Sequence, residues 1–339
     1  MDSVTLYYFR ELAKDLNMHR TAERVFVSQQ TISNHIQRLE AELGCTLFER
    51  KPALSLTYAG RQVLEFAEDV VRGRKNLQDR LADIASEESG RICFGASRLR
   101  LDSCLPEIVP EFWEHYPQVE LDLRDYIERK LEDLIRQGEV DLGVIVEVED
   151  ETDLILEQLM DDQIYVCVPD RILKEACGDR APEIREKGIH GISVKDLQGI
   201  PFCMMENKMG REIRRCFDEE GLKPEIRLTA PYMQLTASVG FRGTAAFFST
   251  QMGITARRSE IPADLNIFPL LRGGEPLLHP MYLVSHRKRY LPVYTRYFME
   301  LTHRYYAEIE RRHIGRAADA GRFLRSMQAV GIMRAGPDY

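Results

Sequence analysis

The sequence predicts an α/β chain of several domains: short amphipathic helices with a small β-wing, one long helix, and a two-lobed alternation of strands and helices. Three observations carry this reading. An amide-rich helix follows an N-cap residue at Ser28, an apolar stripe recurs at heptad spacing from about Ala59 to Ser86, and short β-rich runs alternate with helical segments from Ile92 onward. At 339 residues the chain is long enough for two or three domains, and 44% apolar residues suffice for real cores.

Residues 3–17 place Leu6, Phe9, Ala13 and Leu16 on one face of a first helix. The next segment carries Met18, Ala22, Val25 and Phe26 on its buried side, with small Ala22 where two helices approach. Ser28 then has the hydroxyl that an orphan helix N–H requires, so a further helix starts there. Ile32, Ile36, Leu39 and Leu43 form its core stripe. The opposite face holds Gln29, Gln30, Thr31, Ser33, Asn34, Gln37 and Arg38, with no carboxylate until Glu40. Amides and guanidinium groups pair bidentately with adenine and guanine edges in a major groove, so this is a candidate helix-turn-helix with a reading face. The plain alternative is an amphipathic hairpin with no partner.

After Gly44, Leu47 and Phe48 precede Arg50, Lys51 and Pro52, and Leu54 alternates with Leu56. Alternation around a proline turn predicts a two-stranded wing, which would hold Arg50 and Lys51 near phosphate. The long helix spaces Val63, Ala67, Val70, Leu77, Leu81 and Ile84 by fours and threes, with Arg74 in the seam. That stripe needs another helix. The same helix of a second subunit fits a protein that reads two half-sites; burial within the chain is the alternative.

Residues 86–90 form a polar break read as a hinge. Strands are expected at Ile92–Ala96, Val119–Tyr126, Val140–Val146, Ile164–Pro169, Phe202–Glu206, Glu225–Ala230, Thr244–Ser249, Ile267–Leu271 and Met281–Ser285. Helices are expected at Pro106–Tyr116, Glu128–Gln137, Gly210–Gly221 and Tyr232–Gly240, which together describe a parallel α/β region. Ligands of such sheets sit beyond the carboxyl ends of strands. Those ends are Ser97 and Arg98, Tyr126 and Ile127, Val146 and Glu147, and Met205 to Lys208. Ser97 and Arg98 open a loop where an anion can be held, unless Arg98 is only a solvated arginine.

Charge and motif content exclude several classes. The net charge of −8 rules out a polyanion-binding coat, and residues 1–60 balance seven Lys/Arg against seven Asp/Glu. Any case for DNA therefore rests on one helix. No signal-peptide core and no run of ~18 apolar residues is present, which predicts a cytosolic protein without membrane contact. Seven cysteines without Cys-x-x-Cys spacing read as small buried hydrophobes. A Cys203/Cys216 redox switch is a minor alternative. The eight histidines lack ligand spacing, no phosphate-cradling glycine loop or nucleophile elbow occurs, and the acidic run Glu147 to Asp153 reads as a solvated loop. No metal, no cofactor and no enzyme is expected.

TAERVFVSQQTISNHIQRLEAELGCTLFER followed by LTYAG resembles the N-terminal signature of the LysR-type transcriptional regulators, with weaker echoes at Leu105 to Leu121, Gly138 to Val144 and Asp196 to Phe202. The resemblance implies a homodimer, or a dimer of dimers, that binds double-stranded promoter DNA, with RNA polymerase as a further candidate partner. A small co-inducer, read here as an organic anion, would sit between two lobes like those of type 2 periplasmic binding proteins. By position, the cleft residues are Ser97, Arg98, Tyr126, Val146, Met205 and Glu206. The implied division is 1–58 for the winged helix-turn-helix, 59–88 for the dimerisation linker, 89–310 for the effector domain and 311–339 for a basic extension. Within the effector domain, lobe I takes about 89–161 and 267–310, and lobe II 162–266. Gln30 stands where the family often has proline and Asn34 where it often has arginine; the 170–195 connection is long, and the tail from Arg311 carries six Arg against two Asp. The paired cysteines of the peroxide-sensing branch find no match beyond Cys216. A reading of a different class makes the lobes a solute-binding or enzymatic module, with the N-terminal helices used only for assembly.

Overall fold

The computed structural model describes residues 2–51, 53–85, 89–126, 128–312 and 314, and statements of absence below concern these residues. Pro52 of the wing turn, Ser86 to Glu88 of the expected hinge, Ile127, and the tail apart from Arg311, Arg312 and Ile314 lie outside them.

Three helices, α1 (Ser3–Asp15), α2 (Met18–Arg24) and α3 (Gln29–Leu43), pack with a wing of β1 (Phe48–Glu49) and β2 (Ser55–Leu56). Each helix starts on a side-chain cap: Asp2, Asn17 and Ser28 accept from backbone N–H groups of the first turn. Gly44 ends α3 at φ 66°, a conformation that costs glycine nothing. Phe9, Leu12, Ile32, Ile36, Leu39, Leu47 and Phe48 form one core. Glu40, the first carboxylate of α3, points to the wing and accepts from the Leu47 N–H at 2.7 Å. Three expectations fail here. Leu43, expected in the core stripe of α3, is 40% exposed. Leu16 is a left-handed C-cap, with Leu12 taking its core place, and Phe26 is 93% exposed rather than buried.

Helix α4 (Tyr58–Ile84) is capped by Thr57 and passes so close to the wing that a β-carbon on Gly60 would lie 2.1 Å from the Leu47 carbonyl oxygen. Its polar face docks on its own effector domain. The Lys75 ammonium donates to both Asp141 oxygens (2.6 and 2.8 Å), Asp79 pairs with Arg289, Asp69 with Lys288, and Asn76 takes the Tyr290 N–H. Tyr290 also donates its hydroxyl to Asp83 at 2.7 Å. The apolar stripe divides: Val63 packs on the core of the N-terminal domain and Ala67 is buried, whereas Leu77, Leu81 and Ile84 face outward, 58%, 54% and 79% exposed.

The remaining chain forms one sheet of two halves. In chain order it contains β3 (Ser89–Ala96), α5 (Arg98–His115), β4 (Gln118–Asp125), α6 (Glu128–Arg136), β5 (Leu142–Val146), β6 (Leu154–Pro169), α7 (Asp170–Cys177), α8 (Ala181–Gly188), β7 (Ile192–Ser193), β8 (Pro201–Met205), α9 (Lys208–Glu219), β9 (Glu225–Ala230), α10 (Met233–Gly240), β10 (Ala246–Thr250), α11 (Gln251–Ala256), β11 (Leu265–Arg272), β12 (Glu275–Pro276), β13 (Leu278–His286) and α12 (Val293–Arg311). Lobe I runs β4-β3-β5-β13-β6 and lobe II continues β6-β10-β8-β9, with β11 also on β6. The 16-residue β6 belongs to both: residues 154–163 pair with β13, and 164–169 with β10 and β11. The chain crosses back at Leu277, whose carbonyl accepts from the Ile164 N–H at 2.9 Å.

Several expectations need correction. The sheet is mixed, because β13 runs antiparallel to both β5 and β6. The stretch 267–276 belongs to lobe II, since β11 pairs with β6 and β7, so the return to lobe I comes after Leu277. Helix α5 begins at Arg98 rather than near Pro106; burial of Cys104, Leu105, Ile108 and Phe112 holds it helical through two internal prolines. The 170–195 connection is packed structure, with Ile172, Leu173, Ile184, Ile192 and Val194 in the lobe II core. Six cysteines are buried, whereas Cys45 is exposed.

Candidate nucleic-acid interface and effector cleft

The core stripe of α3 turns its amide face outward. Gln29, Gln30, Asn34, Gln37 and Arg38 are exposed, and Thr31 and Ser33 are partly so. Within that face the Gln30 amide donates to the Asn34 side-chain oxygen at 2.7 Å. One helical turn separates them, so the bond holds two amides as a prearranged pair. Thr31 is tied to the Ser28 hydroxyl at 2.8 Å, and Arg38 lies 4.0 Å from Asp2 and is 72% exposed, which leaves its guanidinium free to turn toward a base or a phosphate. Arg50 and Lys51 are exposed on the wing, on the chain that enters β2. Behind the interface Arg24 spans Glu11 and Asp15, and against the pull of burial the Lys14, Arg24 and Arg10 cations hold the Glu11 carboxyl down to about 2. The domain is therefore rigid beneath an uncommitted polar face.

At the carboxyl ends of the strands, where the effector residues are expected, Lys208 of lobe II pairs with Glu147 of lobe I. Ser97 sits at the N-cap position of α5 with no capping bond from its hydroxyl. Arg98 is 80% exposed and faces Asp102 one turn along α5 at 3.6 Å. Val146 and Met205 turn their side chains into the cores of their lobes. Tyr126 is partly buried and Glu206 exposed. Glu147 and Lys208 were among the strand-end residues, but their pairing was not foreseen, and neither was the burial of Asp162. Glu147, at φ 59°, pairs with Lys208 at the start of α9 and so bridges the lobes. Asp162 is fully buried on β6 at the crossing and accepts from the Met252 N–H at 2.9 Å; burial raises its carboxyl pKa, opposed by that bond, by the Thr250 hydroxyl and by the nearby Arg100 guanidinium. Neither was legible because each depends on residues 61 or 90 positions away. Among the described residues no group of three His, Cys, Asp or Glu can hold a metal, and no helix is long and apolar enough to cross a membrane. Burial raises the Cys203 and Cys216 thiols above their usual value, and both are free.

A helix-turn-helix with an outward amide face, joined through a long helix to a two-lobed ligand-type domain, defines a DNA-binding regulator. Residues 4–61 match the model of the bacterial regulatory helix-turn-helix protein, lysR family, and residues 85–307 match the LysR substrate binding domain. The chain belongs to the LysR family of transcriptional regulators. It is 26% identical over 312 residues to the HTH-type transcriptional regulator YcgK of Bacillus subtilis, spanning 89% of this chain and 94% of that one. It is 33% identical over 151 residues to the regulator cbl of Escherichia coli, spanning 43% and 48%. The fold is similar to full-length OxyR of Pseudomonas aeruginosa (19% identity, TM-score 0.61, 93% of this chain and 100% of that one) and to CbnR (19%, 0.52, 90% and 99%). The protein is thus a DNA-binding regulator with an effector-binding domain, and the enzymatic alternative falls with the family assignment.

Proposed function

We propose that the protein is a cytoplasmic homodimer, or dimer of dimers, in which two copies of α4 pair through their apolar stripes and two α3 helices read a pseudo-palindromic site. The two-faced character of α4 carries this reading. Its polar face is satisfied within the chain, whereas Leu77, Leu81 and Ile84 stay wet in a single copy. In this reading the DNA-binding domain takes residues 1–58, the linker 59–88, the effector domain 89–310 and the basic extension 311–339. Gln29, Gln30, Thr31, Ser33, Asn34, Gln37 and Arg38 face the base edges, with Arg50 and Lys51 on phosphate. Arg38→Ala weakens binding to the cognate duplex by ~1–3 kcal/mol and relaxes preference at one base pair, measured by competition over single-base variants of the site. A uniform loss across all variants, with a reduced salt slope, would reassign Arg38 to phosphate.

The effector is a small organic anion held between the lobes, from the Ser97 end of β3, Tyr126 and Glu206. Support comes from Lys208, a cation whose present partner is the Glu147 carboxylate of the opposite lobe. An anionic effector raises the melting temperature by mass action, by an amount that grows with the logarithm of its concentration. A screen in which only neutral metabolites produce that shift, or one in which Lys208→Met leaves an anion's shift unaltered, contradicts this assignment.

A further inference from the structure

We propose that Phe26 is a DNA-contact residue that reads a thymine methyl group beside the bases contacted by α3. It lies two residues before Ser28, the N-cap of the reading helix, in the joint between α2 and α3. Its backbone holds φ 56°, the left-handed region that disfavours any residue with a β-carbon. The hydrogen bonds explain the geometry: Phe26 N–H donates to the Glu23 carbonyl at 3.3 Å and Val27 N–H to the Ala22 carbonyl at 3.0 Å. Together they close α2 in the manner that ordinarily places glycine or asparagine at this position. The turn sends Val27 into the core and leaves Phe26 93% exposed, the most exposed large apolar side chain among the described residues.

The ring therefore contributes nothing to the core and sits on a backbone that glycine or asparagine would adopt at lower cost. A side chain that is strained and wet in the free protein is one whose benefit lies in a complex. The surface continuous with it names the partner. The N-terminal end of a recognition helix contacts base edges, and Gln29 and Gln30 open that helix three and four residues after Phe26, past Val27 and the Ser28 cap. Among the groups exposed in a major groove, the thymine C5 methyl is the one that an aromatic face covers without leaving a polar atom unpaired. The inference rests on the DNA-reading role of α3 and adds an apolar reader to its amides.

Wild-type protein first selects its site from a random duplex library, and failure at that step would count against the DNA-reading assignment itself. On the selected duplex, Phe26→Asn and Phe26→Ala bind about tenfold more weakly. Phe26→Asn at the same time melts a few degrees higher, because asparagine tolerates the left-handed backbone, while Phe26→Ala does not. Replacing thymine by deoxyuridine at one position of each half-site costs the wild type a similar factor and costs the variants nothing. Unchanged or tighter binding by both variants overturns the proposal, as does a weakened variant with no deoxyuridine-sensitive position in the wild type. Unchanged DNA affinity with reduced activation in a purified polymerase assay also overturns it and assigns the ring to the polymerase.

Discussion

Leu77→Asp combined with Leu81→Asp converts the protein to a monomer and weakens retention of its promoter site by about 10²–10⁴-fold, the loss expected when two tethered half-site contacts become independent. Both side chains are more than half exposed in the single chain, so the change leaves its own core intact and the unfolding midpoint of the effector domain stays where it was. The neutral charge of residues 1–60 makes the effect large. One copy brings few phosphate contacts, and a second copy is what raises the total. Sedimentation and gel retention on the same preparation read both quantities. A dimer that persists with full affinity would mean that another surface joins the subunits.

Asp141→Ala is the substitution with the largest expected effect on stability, on the order of 3 kcal/mol, because it leaves the buried Arg289 with Asp79 alone, the partly buried Lys75 without its carboxylate and the buried Cys93 N–H unpaired. The Asp141 carboxylate is 3% exposed and receives the Lys75 ammonium, the Arg289 Nε at 2.8 Å and the Cys93 N–H at 2.9 Å. Those partners come from the linker, from the loop before α12 and from the first strand of lobe I, so one side chain ties three segments together. Its two cations hold the carboxyl below the usual carboxylate range, against the pull of burial. Asp79→Ala costs less, since Asp79 is more exposed and Asp141 still compensates Arg289. Urea midpoints should therefore fall in the order wild type, Asp79→Ala, Asp141→Ala, with proteolysis of α4 rising in parallel. Equal midpoints would remove the ion cluster from any structural role.

The ion cluster also marks the limit of what could be read from sequence. The apolar stripe of α4 is periodic and local, and it was legible. The polar face was not, because Lys75 meets Asp141 across 66 positions and Asn76 meets Tyr290 across 214. The amide face of α3 was legible for the same local reason, as was the wing. Phe26 was misplaced because helical period assigns it inward and only the left-handed turn reverses it. Pro106 and Pro110 concealed the first turns of α5, which made Arg98 look like a loop residue. The first half of β6 was missed because Glu157, Asp161 and Asp162 obscure its alternation. Of the cleft residues named from strand ends, Val146 and Met205 turn inward, and the Glu147 to Lys208 bridge emerges only when both lobes are in place.

The claim that the linker pairs two reading helices is tested most directly by footprinting the full-length protein on a site it selects. The account predicts two protected half-sites related by a two-fold axis, with centres about one helical turn or a multiple of it apart, and loss of both together in the Leu77→Asp/Leu81→Asp protein. A single protected segment without symmetry, retained by that variant, would contradict it.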